Sequence, residues 1–208
     1  MWELGLSYGE SGVGSAVDRH FMGSFPTLAR AVHAAAQLGD GPPRRVVLVH
    51  PSGMSVTDLG RVVGELAVAG VADDDVQLLT DIEVLHRLTG HRVLLIDADR
   101  DLLTTYPGRS EPFDADRVAA LVAKQPYDTT VALTGHPELR DRHHVAVRDY
   151  APMIVERPAL AALALQVPAT TELSSTPRTA GALRRRPLAP WVLATIPVIA
   201  VILLILLL

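Results

Sequence analysis

Apolar and polar positions alternate along residues Glu3 to Tyr8, ELGLSY, which predicts a half-buried strand. The following SGVGSAV, Ser11 to Val17, reads either as the second strand of a hairpin or as a loop. A helical period replaces the alternation over Thr27 to Leu38, and RVVLVH, Arg45 to His50, is a continuous apolar run of the kind found in buried strands. The same exchange of periods recurs downstream. It predicts helices over Thr57–Val71, Asp81–Leu88, Asp114–Gln125 and Arg157–Leu165, with Asp114 as a cap and a proline in the last helix's first turn. It predicts strands over Asp75–Thr80, His91–Asp99, Thr129–Gly135 and, at an edge, His143–Asp149, with Asp101–Pro107 returning as a hairpin partner. Strands that alternate with helices imply an α/β domain built on a mainly parallel sheet with flanking helices.

The pattern changes after residue 165. QVPATTELSSTPRTAGALRRRP, Gln166 to Pro187, has prolines, threonines and serines but no apolar period, so it reads as a linker with a basic flank. WVLATIPVIAVILLILLL, Trp191 to Leu208, then runs for 18 residues without a charge. With Leu188 to Pro190 before it, that run has the ~20 apolar residues that a bilayer-spanning helix needs. The expected organisation is therefore a cytoplasmic α/β domain at 1–165, a linker at 166–187 and one transmembrane helix at 188–208. Arg184, Arg185 and Arg186 precede the span and no cation follows it, which places the N-terminal domain in the cytoplasm at the cell membrane. A span in this position implies a tail-anchored protein or a shortened relative of a longer one. MWELGLSYGE has no basic start and no apolar run, so no signal peptide is expected.

Composition narrows the chemistry. The formal net charge of −4 lacks the clustered cations of a nucleic-acid-binding domain, so the lipid bilayer and a protein are the expected partners. The absence of cysteine excludes disulfides, thiolate metal sites and cysteine nucleophiles. His50, His86, His91, His136, His143 and His144 show no metal-binding spacing, and His143 and His144 would face opposite sides of a strand. Ser52 lies in HPSGMS, which lacks the glycines of a nucleophile elbow. Asp73, Asp74 and Asp75 read as a solvated loop.

GESGVGS, Gly9 to Ser15, comes within one residue of a phosphate-binding loop. That loop requires a lysine after Gly14, where this chain has Ser15, and it requires a helix next, where this chain has VGSAVDRHFMGSFP. A glycine turn between two strands fits better.

LGLSYGESGVGSAV also resembles the first phosphate-binding hairpin of the actin-like and heat-shock-chaperone ATPases, of the form G-[IV]-D-x-G-T-T-x-S-x-V-A-V. Gly5 and Gly9 fall in register, Ser15 and Val17 follow, and Ser7 stands where that superfamily has a metal-coordinating aspartate. VLLIDADRDLLTTY is similar in placement to its second loop, D-x-G-G-G-[ST]: Asp97 matches, whereas Ala98, Asp99 and Arg100 occupy the glycine-rich turn. The segment between them, Arg44 to Asp81, resembles the chaperone succession of strand, helix, strand and short helix. Actinobacterial proteins associated with type VII secretion are similar too, pairing such a degenerate actin-like lobe with a single membrane span.

The resemblance implies a membrane-anchored, non-catalytic accessory or scaffold protein, with secretion machinery as the partner. No catalytic, cofactor-binding or metal residue is assigned, and no cofactor is expected. The alternative is a membrane-tethered actin-like nucleotide-binding protein or ATPase that a partner completes. A pure interaction module using a sheet edge is a third class.

Overall fold

The computed structural model of the protein describes residues 1–72, 75–125 and 128–168. The chain starts with a meander of three strands: β1 (Glu3–Gly9), β2 (Gly12–Val17) and β3 (His20–Phe25). It continues through α1 (Leu28–Ala36), β4 (Arg45–His50), α2 (Val56–Val68), β5 (Val76–Thr80) and α3 (Asp81–Thr89). The same succession then repeats. A second meander, β6 (Arg92–Asp97), β7 (Leu102–Thr105) and β8 (Arg109–Pro112), leads into α4 (Ala115–Lys124), β9 (Thr129–Thr134), α5 (Pro137–Val147), β10 (Met153–Ile154) and α6 (Arg157–Ala164).

The expected single, mainly parallel sheet is therefore corrected to two mixed five-stranded sheets. Their orders are β3-β2-β1-β4-β5 and β8-β7-β6-β9-β10, so the halves share one topology. In each, the meander pairs antiparallel and two parallel strands join the other side of its first strand. The physical reason lies in the connections. Glu10-Ser11 and Asp18-Arg19 are too short to cross a sheet, and a parallel pair needs a crossover of a dozen residues or more. The β2–β3 turn places Asp18 and Arg19 at φ 48° and 71°, the backbone of a type I′ hairpin turn. Because neither residue is Asn or Gly, the sequence hides that turn, and with it β3.

A second correction concerns His143–Asp149. His143 to Val147 belong to α5, not to an edge strand. Pro137 opens that helix, and Arg140, His143 and Val147 bury at helical spacing. The strand at this edge is instead β10, which pairs with β9.

Side-chain alternation sorts the strands into three cores. Leu4, Leu6, Val46 and Leu48 face α1 and α2. Leu94, Ile96, Val131 and Leu133 face α4 and α5. Between the sheets, Val47, Val49, Val93 and Leu95 meet Ile82 and Leu85 of α3 and Leu160 and Ala164 of α6. The helix that ends each half thus lies in the layer both halves share. Among the described residues no helix is long and apolar enough to cross a membrane. The expected span at 188–208 and its basic flank lie outside the described residues.

Candidate functional site

Two helices in the central layer begin at one polar seam, where β1, β4, β6 and β9 all end. The seam gathers the Glu10-Ser11 turn, the turn after Asp97, the loop after His50 and the first residues of α3 and α6. Each helix delivers a charged residue there at its first position: Asp81 on α3 and Arg157 on α6, respectively 2% and 7% exposed.

Arg157 bridges the halves. Its Nη1 donates to Tyr8 O at 2.9 Å, and its Nη2 donates to Asp99 Oδ2 at 3.1 Å. Asp97 Oδ1 is 3.9 Å from the same Nη2. Asp99 also accepts from Ser11 Oγ at 2.7 Å and from His136 N at 2.6 Å. Burial alone would raise the Asp99 carboxyl. The His136 amide, the Ser11 hydroxyl and the Arg157 guanidinium outweigh it and hold the group below its usual range. Arg100 adds a second bridge, donating to Ser52 O at 3.1 Å and Gly53 O at 3.2 Å, with Glu10 3.8 Å away.

The glycines of the first hairpin now have a reason. Gly5, Ser7 and Gly9 lie on the face of β1 opposite Leu4 and Leu6, and that face meets α6. A Cβ on Gly9 would overlap the Arg157 guanidinium. On Gly14 it would overlap the backbone of Arg157 and Pro158, and on Gly5 the carbonyl of Ala161. Ala16, Ala161 and Ala162 continue the close contact. These small residues therefore admit a helix and its arginine rather than an open phosphate cradle.

Asp97 closes the seam from below. Its Oδ1 accepts from Asp99 N at 3.2 Å, while Oδ2 has no partner. Burial pushes this carboxyl up to about 6; Arg157 opposes the rise, and Asp81 and Asp99 add to it. Asp81 Oδ1 accepts from Ser52 Oγ at 2.6 Å, Ser52 N at 3.0 Å and Ile82 N at 2.7 Å. The Ser52 hydroxyl is thus held by a carboxylate and has no imidazole as its base. Nearby, burial pushes the His50 imidazole down. Beside the seam, Tyr8, Glu10, Met54, Asp58, Arg61 and Arg100 line an open cleft of about 170 Å³. Its two cations face two carboxylates, so it carries no net charge to select an anion.

The structure brings three residues singled out from sequence, Gly9, Asp97 and Asp99, against Arg157, whereas Ser7 is buried with no partner for its hydroxyl. Ser15 is buried one strand away, with Oγ 3.7 Å from Met22 Sδ. It leaves the histidines dispersed. His91 pairs with Asp128, His143 lies between Leu139 O and Asp101, and His136 stands at the N-terminal boundary of α5 without a capping side-chain bond. Among the described residues no three His, Cys, Asp or Glu side chains form a metal-binding group. Asp73 and Asp74 lie outside the described residues. Sequence reasoning passed over Arg157 and Asp81 as ordinary helix-opening residues. The signal that could have found them is the repeated element order, which puts both at equivalent points of the two halves.

No protein-family model matches this sequence, and no curated protein matches it.

Proposed function

We propose that this protein is a membrane-anchored, non-catalytic accessory or scaffold protein, related to the actin-like ATPases and serving type VII secretion. In this reading residues 1–165 form a cytoplasmic interaction domain. The observation that carries the non-catalytic part is the seat of Arg157. The two turns that the resemblance pairs as phosphate loops lie within hydrogen-bonding distance of each other, through Ser11 Oγ and Asp99 Oδ2. The Arg157 guanidinium fills the space beside Gly9, and Asp99 presents a negative charge where phosphate would approach. A phosphate site needs open backbone N–H groups and a free cation, and here Arg157 is already committed to Tyr8 O and Asp99. The link to secretion rests on the sequence resemblance together with the expected anchor.

Calorimetry tests this reading. Magnesium-ATP titrated into the full chain in detergent is expected to bind no tighter than about 1 mM, some 4 kcal/mol of binding free energy. Micromolar, saturable binding would favour the partner-completed nucleotide-binding protein instead. The anchor has a separate test. Full-length protein is expected to fractionate with membranes, and deletion of Trp191 to Leu208 to release it. In vesicles, protease should digest the domain only where the cytoplasmic face is exposed. Cleavage from outside intact cells would reverse the proposed orientation.

A further inference from the structure

We propose that the seam is a proton-tuned latch between the two halves, closed when the Asp97 carboxyl holds a proton and loosened when that carboxyl ionises. The proposal is independent of the nucleotide reading, because it concerns how firmly the halves hold each other.

The geometry around Asp97 does not provide for a charge. The residue is 4% exposed, and among the described residues its only hydrogen-bond donor is one backbone N–H, that of Asp99. Thr134, its neighbour across the β6–β9 ladder, is fully buried and its Oγ1 has no partner. Ser7, buried on the inward face of β1, likewise has a free Oγ. Neither hydroxyl reaches the carboxylate. Arg157 Nε is a third orphan in the same seam. Four buried polar atoms, on β1, β6, β9 and α6, are thus left unsatisfied, and buried unsatisfied groups favour any motion that admits water.

The charges that face Asp97 come from three places. Arg157 approaches from α6 at 3.9 Å, but its hydrogen bonds go to Tyr8 O and Asp99. Asp81 faces it from α3, and Asp99 and Arg100 from the following turn. Ser7 from β1 and Thr134 from β9 bring no charge. Two carboxylates thus stand against two guanidiniums, neither of which is hydrogen-bonded to Asp97, and burial decides the balance against the ionised form.

The direction of the effect follows from the raised value. The closed seam binds the Asp97 proton more tightly than an open, hydrated seam would. Its advantage is complete below the ordinary carboxylate range and is lost as pH rises through about 6. Asp99 behaves oppositely: its held-down carboxyl supports the closed seam until pH falls below the ordinary range. Asp99 therefore plays no part between about pH 5 and about pH 7.5, where Asp97 acts; the His50 imidazole, pushed down by burial and facing Asp81, acts in the opposite sense, favouring the closed seam as pH rises.

Amide hydrogen exchange on the full chain in detergent, corrected for intrinsic rates, reads the latch. Peptides covering residues 7–13 and 96–101 are expected to lose about ten-fold in protection between about pH 5 and about pH 7.5, from linkage between an ordinary and a raised carboxyl. Peptides from α1 and α2 should not follow. In Asp97→Asn the loss of protection on raising the pH should vanish, with protection at neutral pH at least matching that of the acidified wild type. Carboxyl carbon NMR of the wild-type chain supplies a reading that needs no variant, with a midpoint near 6 expected for Asp97. Three results would overturn the latch: equal seam protection at both pH values, a loss of protection with rising pH that survives in Asp97→Asn, or an Asp97 midpoint in the ordinary range. Parallel changes in the α1 and α2 peptides would mean global loosening and would overturn it too.

Discussion

Gly14→Ala is expected to destabilise the domain by at least about 3 kcal/mol, at the upper end of what added atoms cost in a packed core. One methyl group has this effect because of what it meets. The new Cβ would overlap backbone atoms of Arg157 and Pro158, and backbone cannot swing aside as a side chain does. Relief requires α6 to move away from β2. That movement opens the central core at Leu160, Ala161 and Ala164, all fully buried, and pulls Arg157 from Tyr8 O and Asp99. The two ends of α6 cannot compensate, because Arg45 also holds its far end through Leu165 O at 3.4 Å. A matched control has the opposite sign. Gly60 lies in α2 with no atom within 4 Å of an added Cβ, so Gly60→Ala should stabilise by about 0.5–1 kcal/mol through helix propensity and a less flexible unfolded chain. Urea denaturation of both variants decides the matter. A Gly14→Ala midpoint within about 1 kcal/mol of the parent would show that α6 does not need the bare strand.

The contrast between those two glycines shows how far the sequence could be read. Local pattern revealed most of the elements. Alternation marked β1, apolar runs marked β4, β6 and β9, and a cap at Asp114 marked α4. What stayed hidden depends on long-range partners. Gly5, Gly9 and Gly14 looked like a loop for phosphate because glycine permits close approach without saying what approaches. Only the fold reveals that α6, some 150 residues away, is what lies against them. The mixed sheets were hidden for a local reason, since Asp18-Arg19 forms a hairpin turn without its usual residues. The seam was half legible. Asp97 and Asp99 attracted attention through their place after a buried strand, whereas Arg157 and Asp81 did not, because a helix-opening residue normally faces solvent.

Arg157→Met should cost about 3–5 kcal/mol at neutral pH, the range for breaking one side of a buried ionic contact. Methionine roughly preserves the volume of the arginine stem and removes the guanidinium. Tyr8 O then loses its donor, Asp99 keeps only Ser11 and His136, and Asp97 loses the nearest positive charge. Two carboxylates remain in the seam with Asp81 close by, and the cation that crosses between α6 and the turn is gone. The pH dependence separates this from ordinary packing loss. Without the guanidinium both Asp97 and Asp99 are pushed upward, so the folded state of the variant favours protonation more than the parent does. A raised carboxyl contributes stability at low pH and loses it as pH rises, so the deficit should be largest near neutrality and shrink towards about pH 5. Asp97→Asn in the same chain should recover part of the loss at neutral pH, since it removes one of the stranded charges. Lysine at the same position keeps a charge but not the planar fork that reaches Tyr8 O and Asp99 together, so Arg157→Lys should restore stability only in part. Guanidinium denaturation at the two pH values, for the single and double variants, measures all of this. A deficit that is the same at both pH values, or that Asp97→Asn leaves untouched, would mean that Arg157 acts through its volume and not through its charge.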